Sequence, residues 1–553
     1  MNLGTGLRNL RRVREILSVL VFSYGFGYVF DQLGISRHLP LGRRRRLPRE
    51  YAEMPGPRRL RLAMAELGPT FIKLGQILGA RGDLLPPAIV SELRHLQDEG
   101  PAVPFPEIRG VIERELGRPI EQCFPQIDEK PLASASLGQV HAALLRDGRQ
   151  VTVKALRPGV RKIVETDLSI LSDAALLLTR QVPYLQRYNL PSLVRQFATQ
   201  LEDEMSYTVE AHNAGRIRES LTAIGINACI PEVIWELTTR EVLTTERVYG
   251  YRVEKLVTEA PEVDRKAVAA QLGHAILHQV FVDGFFHGDP HHGNVLVADD
   301  GAIVMLDFGI VGYLDPRTRR LVSEAVRRVY EQDVEGLVSA MLELGSFGSD
   351  TDLQALRNEL ARIVSRFMLL PRRDFPMGEM LMRSLRAVWL NNVRLPAELS
   401  LTAKALMMAE AVASDLDPEF DFRELAEPVL AEARARELSP GALVERALRS
   451  FEATVRRLNS LPARLDRVLS LVEHGALRMR VEQLDAETRW TRLGRVLNRV
   501  GLSVLTLGLL LTGAIFLVAG GHPAHTGLGT VALVVALFTG LIVILRALRP
   551  GQL

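Results

Sequence analysis

Apolar positions follow three different patterns along this chain. From about residue 59 to 440 they recur at helical spacing or in short alternating runs broken by Gly, Pro and Asp, which predicts a soluble α+β body. Residues 441–492 are rich in charge with Leu and Val at helical spacing, so an amphipathic helical linker is expected there. Residues 500–519 and 528–545 carry no charge on any face. Each run is close to the ~20 residues that let a helix cross ~30 Å of hydrocarbon. Gly520-Gly521-His522-Pro523 supplies a turn between them, and a C-terminal transmembrane helical hairpin within 493–553 is predicted. A buried hairpin in a soluble core is the alternative, and it would normally leave one polar face. Arg492, Arg495 and Arg499 precede the pair and Arg546 and Arg549 follow it, so both flanks are expected on the cytoplasmic side.

A shorter apolar run, residues 16–30, follows Arg8, Arg11, Arg12 and Arg14. Asp31 and then Arg43-Arg44-Arg45-Arg46 come next instead of a small-residue cleavage site, which argues against a signal peptide. Two readings fit: an interfacial helix whose basic patch sits on anionic lipid, or a core helix with a solvated Arg run. Charge supports the first. Residues 1–50 hold ten Arg and three acids, whereas the net charge of the whole chain is only +3. The basic signal is therefore local, and a nucleic-acid partner is not expected. Cys123 and Cys229 are too few for a disulfide framework. Only seven lysines occur among 68 basic residues, so a lysine inside a motif draws notice as a place for a compact ammonium.

The densest chemistry lies at His287-Gly288-Asp289-Pro290-His291-His292-Gly293-Asn294, followed by Val304-Met305-Leu306-Asp307-Phe308-Gly309. An Asp with an Asn five residues on, then Asp-Phe-Gly after an apolar strand, is the phosphoryl-transfer pattern of a kinase catalytic loop. In that pattern Asp289 orients the nucleophile, while Asn294 and Asp307 offer hard oxygens to Mg²⁺ beside ATP. Zinc held by His287, His291 and His292 is the rival reading, and it lacks the carboxylate or thiol partner of known zinc motifs.

Val151-Thr152-Val153-Lys154 stands 135 residues before Asp289 and has the form of the strand lysine that pairs the α- and β-phosphates. The alternating run from Val140 to Leu145 and a turn at Asp147-Gly148 predict the hairpin that holds it. Glu210, on a helix predicted through Glu204 to Ala211, is its candidate partner. A strand in 240–248 leads to a hinge at Glu246 and Val248 for adenine. No Gly-rich loop precedes Lys154. Ala133-Ser134-Ala135-Ser136 stands there instead, and alanine does not reach the positive φ angles open to glycine, so a stiffer phosphate loop is expected.

These features resemble the UbiB/AarF (ADCK) family of atypical kinases, from about residue 50 to the terminal hairpin. The most specific element is the K-x-G-Q motif in Gly68-Pro69-Thr70-Phe71-Ile72-Lys73-Leu74-Gly75-Gln76, followed by Arg81 and Asp83-Leu84-Leu85-Pro86. The Ala-rich loop and Glu210-Ala211-x-Asn213 are family marks too. The resemblance implies a two-lobed protein-kinase-like fold with an N-terminal helical extension over the cleft. Lys73, Gln76 and Glu204 would gate the site and obstruct a protein substrate. It also implies prenyl-quinone precursors and ubiquinone-biosynthesis enzymes as partners, at a bacterial inner membrane. The family's Glu-x-Asp motif begins at Glu204 but has Ser206 at its Asp position. Gly288, His292 and Ser134 replace commoner residues.

The expected organisation is a basic membrane-interfacial segment (1–58), the K-x-G-Q extension (59–125), an N-lobe (126–248), a C-lobe (249–440), the linker (441–492) and the hairpin. The expected function is ATP and Mg²⁺ turnover in support of quinone synthesis. A true kinase with a protein or small-molecule acceptor, and a nucleotide-binding lipid scaffold without turnover, are the rivals.

Overall fold

A computed structural model describes residues 3–26, 54–80, 85–93, 95–96, 100–182, 189–347, 351–369, 377–391, 393, 395–437 and 534–535. The chain divides into two compact units, Met1–Leu443 and Val444–Leu553, and all described residues but Val534 and Val535 lie in the first. The expected linker of 441–492 and hairpin of 500–545 fall outside the described residues, apart from those two, as do Arg43 to Arg46, Arg81, Asp83 and Leu84. Among the described residues no helix is long and apolar enough to cross a membrane.

The strands, in chain order, are β1 (Gln126–Ile127), β2 (Ala133–Ser134), β3 (Gly138–Leu144), β4 (Gln150–Leu156), β5 (Ala228–Cys229), β6 (Val242–Glu246), β7 (Tyr251–Arg252), β8 (Phe285–His287), β9 (Val295–Val297), β10 (Ile303–Met305) and β11 (Val311–Tyr313). The first sheet runs β1-β3-β4-β6 with β2 on β3, and its pairs are antiparallel. Gly148, at φ +87°, turns β3 into β4. Alternation then decides which face each β4 residue meets. Val151, Val153 and Ala155 are fully buried with Ile108 and Ile112 of the Phe105–Leu116 helix. Leu156 packs on the other face with Val164, Phe197 and Leu201. Lys154, opposite Leu243 and Val140, belongs to this second face. The Phe105–Leu116 helix is thus core to the sheet, although the change from helix to strand in the sequence separates the two.

The K-x-G-Q extension is built from the Gly56–Leu67, Pro69–Ala80 and Pro87–Leu93 helices. Gly68, at φ +95°, breaks the first from the second, and Pro69 opens the second without losing a needed donor. The Arg12 guanidinium donates to both carboxylate oxygens of fully buried Asp167, at 2.8 and 3.0 Å, and to Leu67 O at 2.6 Å. That fork ties the Leu3–Leu17 helix to the Val160–Gln181 helix. Ile16, Val19 and Tyr24 are then buried against Ala63, Met64, Leu67 and Phe71, so these three are spent on the protein's own core.

In the C-lobe the Arg265–His278 helix is buried on nearly every side. Around it stand the sheet β5-β10-β9-β7 and the pair β11-β8. The Met377–Leu390 and Ala397–Leu416 helices cross at Gly378. A Cβ there would lie 2.4 Å from the Met407 N and Cα atoms, which are backbone and have no rotamer to change. Gly378→Ala is expected to cost about 2–3 kcal/mol, read as a lower urea midpoint. An unshifted midpoint would mean the helices part freely.

Glu410 accepts from Met377 N–H at 3.1 Å and Gly378 N–H at 3.2 Å. Burial, helped by Asp421 and Glu379 and opposed by those two donors, pushes its carboxyl up to about 7. The folded value therefore lies above the unfolded one of about 4.3. Its contribution to stability is complete below about pH 4 and is lost as pH rises through about 7. Glu410→Gln cannot ionise and is expected to flatten that part of the melting-temperature profile; an unchanged slope assigns it to another group.

Candidate active site

The pairing of short strands assembles the site. Residues 288–294 connect β8 to β9 and residues 306–310 connect β10 to β11. Because β8 pairs with β11 and β9 with β10, the two loops are held side by side. Leu306 N–H donates to Asn294 O at 2.9 Å, and Gly288 N–H donates to Ile310 O at 2.9 Å.

His287 is fully buried between the loops. Its Nε2 donates to Leu306 O at 3.1 Å, while Nδ1 accepts Asp289 N–H at 3.1 Å, which fixes one neutral tautomer. Burial lowers its pKa, against the pull of Leu306 O and Asp289. Both ring nitrogens are committed, and His292 Nε2 contacts Asp415 Oδ2 at 2.7 Å, so a zinc ligand set of His287, His291 and His292 does not form.

Across the cleft, Lys154 Nζ donates to Glu210 Oε1 at 2.9 Å and Oε2 at 3.0 Å, and lies 3.5 Å from Asp307 Oδ2. The Tyr207 ring packs under the ammonium at 5.2 Å. Burial opposes the charge on Lys154, but Asp307 and Glu210 outweigh it and hold the lysine well above its ordinary range. Burial likewise raises the Asp307 carboxyl; Lys154 and then Lys73 overcome this and bring it down to about 2. Asp307 sits at φ +54°, and its Oδ1 accepts Gly309 N–H at 3.1 Å.

The helix expected to run unbroken through Glu204 and Glu210 is two helices, Leu190–Glu204 and Tyr207–Ala223. Ser206 is extended at φ −117° between them, and Tyr207 N–H donates to Arg240 O at 3.0 Å, which pulls the chain toward β6. The break aims the two acids at different lysines. Glu204 pairs with Lys73 and Glu210 with Lys154. Asn213, one turn beyond Glu210, donates to Phe308 O at 3.0 Å and ties this helix to the Asp-Phe-Gly loop. Ser206, at the family's acid position, has its Oγ 3.1 Å from Thr208 Oγ1.

Of the other predicted residues, Gln76 donates to Leu96 O at 3.4 Å, within the extension. Ala133 and Ser134 form β2, and Arg157 holds the loop by donating to Ala135 O at 2.8 Å and Ser134 Oγ at 3.0 Å. Ser136 is buried. Glu246, the last residue of β6, donates its N–H to Glu232 O at 2.8 Å, and Val248 follows two residues beyond the strand.

Asn294 Nδ2 donates to Asp289 O at 3.1 Å, so its Oδ1, the atom a cation takes, is turned the other way. Among the described residues no group of three or more His, Cys, Asp or Glu can hold a metal unaided. The donor set of Asp307 and Asn294 fits Mg²⁺ that completes its shell with phosphate oxygens and water. Sequence reasoning missed Lys404. Its Nζ lies 2.5 Å from Asp289 Oδ1, and its only advance signal was the scarcity of lysine.

Comparison with known proteins agrees with this architecture. The ABC1 atypical kinase-like domain is matched over residues 95–341 and the UbiB helical domain over residues 360–421. The chain is 31% identical over 535 residues to "Probable protein kinase UbiB" of Xylella fastidiosa (strain M23), covering 93% of this chain and 94% of that one. It is 32% identical over 514 residues to "Probable protein kinase UbiB" of Xanthomonas campestris pv. campestris (strain B100), covering 88% and 89%. Among solved structures, the Rv3197–erythromycin complex from Mycobacterium tuberculosis aligns with TM-score 0.46 and 21% identity, over 66% of this chain and 93% of that one. With a bacterial relative matched at this identity over almost its whole length, the chain belongs to the UbiB family of ABC1 atypical kinase-like proteins.

Proposed function

We propose that this protein binds Mg-ATP in the cleft between the two lobes, turns it over, and couples that turnover to ubiquinone synthesis at a membrane. The observation that carries the reading is the convergence of Lys154, Glu210 and Asp307 opposite a catalytic loop that presents Asp289 and Asn294. Lys154, steadied by Glu210, is placed to hold the α- and β-phosphates. Asp307 and Asn294 would hold Mg²⁺, which offsets the charge on the phosphates. Asp289 orients the attacking oxygen with its carboxylate. Lys73 and Glu204 close the phosphate end, with Lys73 buried, Glu204 partly so, and Lys73 felt by Asp307. A bulky protein acceptor is obstructed there, which favours water or a small acceptor.

The uncharged runs of 500–519 and 528–545 anchor the body to the cytoplasmic face of a bacterial inner membrane, and the basic N-terminal region adds affinity for anionic lipid. ATP turnover then serves to lift an apolar prenyl-quinone precursor from the bilayer toward soluble enzymes. The deciding experiment is phosphate release from Mg-ATP by the full chain, with and without anionic liposomes. Release that rises with lipid supports the reading. Phosphate found on a defined acceptor makes the protein a true kinase, and bound nucleotide without release makes it a scaffold.

A further inference from the structure

Asp289 is gripped from outside the two loops that bear the kinase motifs. Its Oδ1 is 2.5 Å from Lys404 Nζ, an ion pair by distance whose angles are not those of a hydrogen bond, and both side chains are mostly buried. Lys404 lies on the Ala397–Leu416 helix, within the span matched by the UbiB helical domain and beyond the ABC1 span.

The same helix meets the catalytic loop at two further points. Leu401 Cδ1 would be 3.2 Å from a Cβ at Gly288, and Asp415 Oδ2 contacts His292 Nε2 at 2.7 Å. At 100° per residue, positions 401, 404 and 415 share one face, so this face runs along the loop on both sides of Asp289. The helix is itself fixed by Glu410, which caps the start of the Met377–Leu390 helix. It also touches the Pro69–Ala80 helix of the extension.

We propose that Lys404 is a positioning residue through which the helical domain completes the active site. Resting on the ATP-turnover reading above, it holds one oxygen of Asp289 so that the other, Oδ2, is aimed at the attacking hydroxyl. A single ammonium suits this task. It occupies one carboxylate oxygen as a point charge and leaves the second open. His291 Nε2, 3.9 Å from Oδ2, is too distant for a hydrogen bond and does not fill that oxygen. The helical domain is then part of the catalytic apparatus, and its displacement would misdirect Asp289.

The test uses the full chain with Lys404→Met and Lys404→Arg, read by phosphate release and by amide hydrogen exchange over residues 287–294 without nucleotide. Lys404→Met is expected to lower kcat about a hundredfold, with KM for Mg-ATP within about threefold, because a small misplacement of the nucleophile's partner has that cost. Exchange in the loop should rise, and Lys404→Arg should recover kcat to within about tenfold of the wild type and restore protection, since a cation returns to Oδ1. A kcat for Lys404→Met within about threefold of the wild type with unchanged loop exchange would overturn the proposal. So would equal damage in both variants with a lowered melting temperature, which marks a packing role alone. Should the wild type release no phosphate, the ATP-turnover reading falls, and the exchange measurement still decides whether Lys404 fixes the loop.

Discussion

Asp289→Asn is expected to lower phosphate release from Mg-ATP by about a thousandfold, while nucleotide affinity stays within about threefold. The two side chains have the same shape, so the loss comes from one atom. In the wild type Oδ1 meets Lys404, and on the function proposed above Oδ2 is the oxygen left to accept from the nucleophile. An asparagine that keeps its carbonyl on Lys404 turns an NH₂ group toward the attacking hydroxyl, donor against donor. Flipped, it sets NH₂ against the ammonium and loses the strut. The main chain of Asp289 is untouched by either outcome. Its N–H still donates to His287 Nδ1 and its carbonyl still accepts from Asn294 Nδ2, so the loop and the melting temperature should hold. Steady-state kinetics beside a thermal melt separate the two effects. A variant that keeps more than about a tenth of the activity would remove Asp289 from the reaction.

Much of the site was legible because its parts are local. Lys154 could be placed on a strand since Val151 and Val153 alternate with it and Gly148 supplies the turn; both valines are fully buried on the opposite face. Asp289, Asn294 and Asp307 could be grouped because one short hairpin, β9-β10, enclosed by the β8-β11 pair, joins loops close in sequence. What escaped depends on distant chain. The break at Ser206 has no strong local signal, because the donor–acceptor pair that forces it joins Tyr207 to Arg240. Lys404 arrives from a far helix that is apolar on average and shows no marked polar face to single it out. The N-terminal run was ambiguous for another reason. A bilayer and a protein core both accept Ile16 and Val19, and only the Arg12 fork on Asp167, invisible in either segment alone, favours the core for them.

Asp307→Asn is the second large expectation: loss of the Mg²⁺ dependence of ATP affinity, and a fall in turnover of about a thousandfold. Asparagine is the informative substitution here. Position 307 sits at φ +54°, a left-handed geometry that Asn tolerates and alanine enters at a cost of about 1 kcal/mol. The Oδ1 contact with Gly309 N–H also survives, so the turn that presents Phe308 to Asn213 is kept. The negative charge is lost. That charge is held ionised far below neutrality, with its pKa at about 2, by Lys154 and Lys73 outweighing burial, and it is the only carboxylate of the Asp307–Asn294 donor pair. Without it a divalent ion would rest on the Asn294 amide, the phosphates and water, which cannot offset its desolvation as well. Titration calorimetry with ATP, in Mg²⁺ and again in EDTA, reads this directly. The wild type should bind more tightly with the metal, and the variant should bind alike in both. A variant that keeps the full Mg²⁺ enhancement would place the ion elsewhere in the cleft and leave Asp307 as a counter-charge for Lys154.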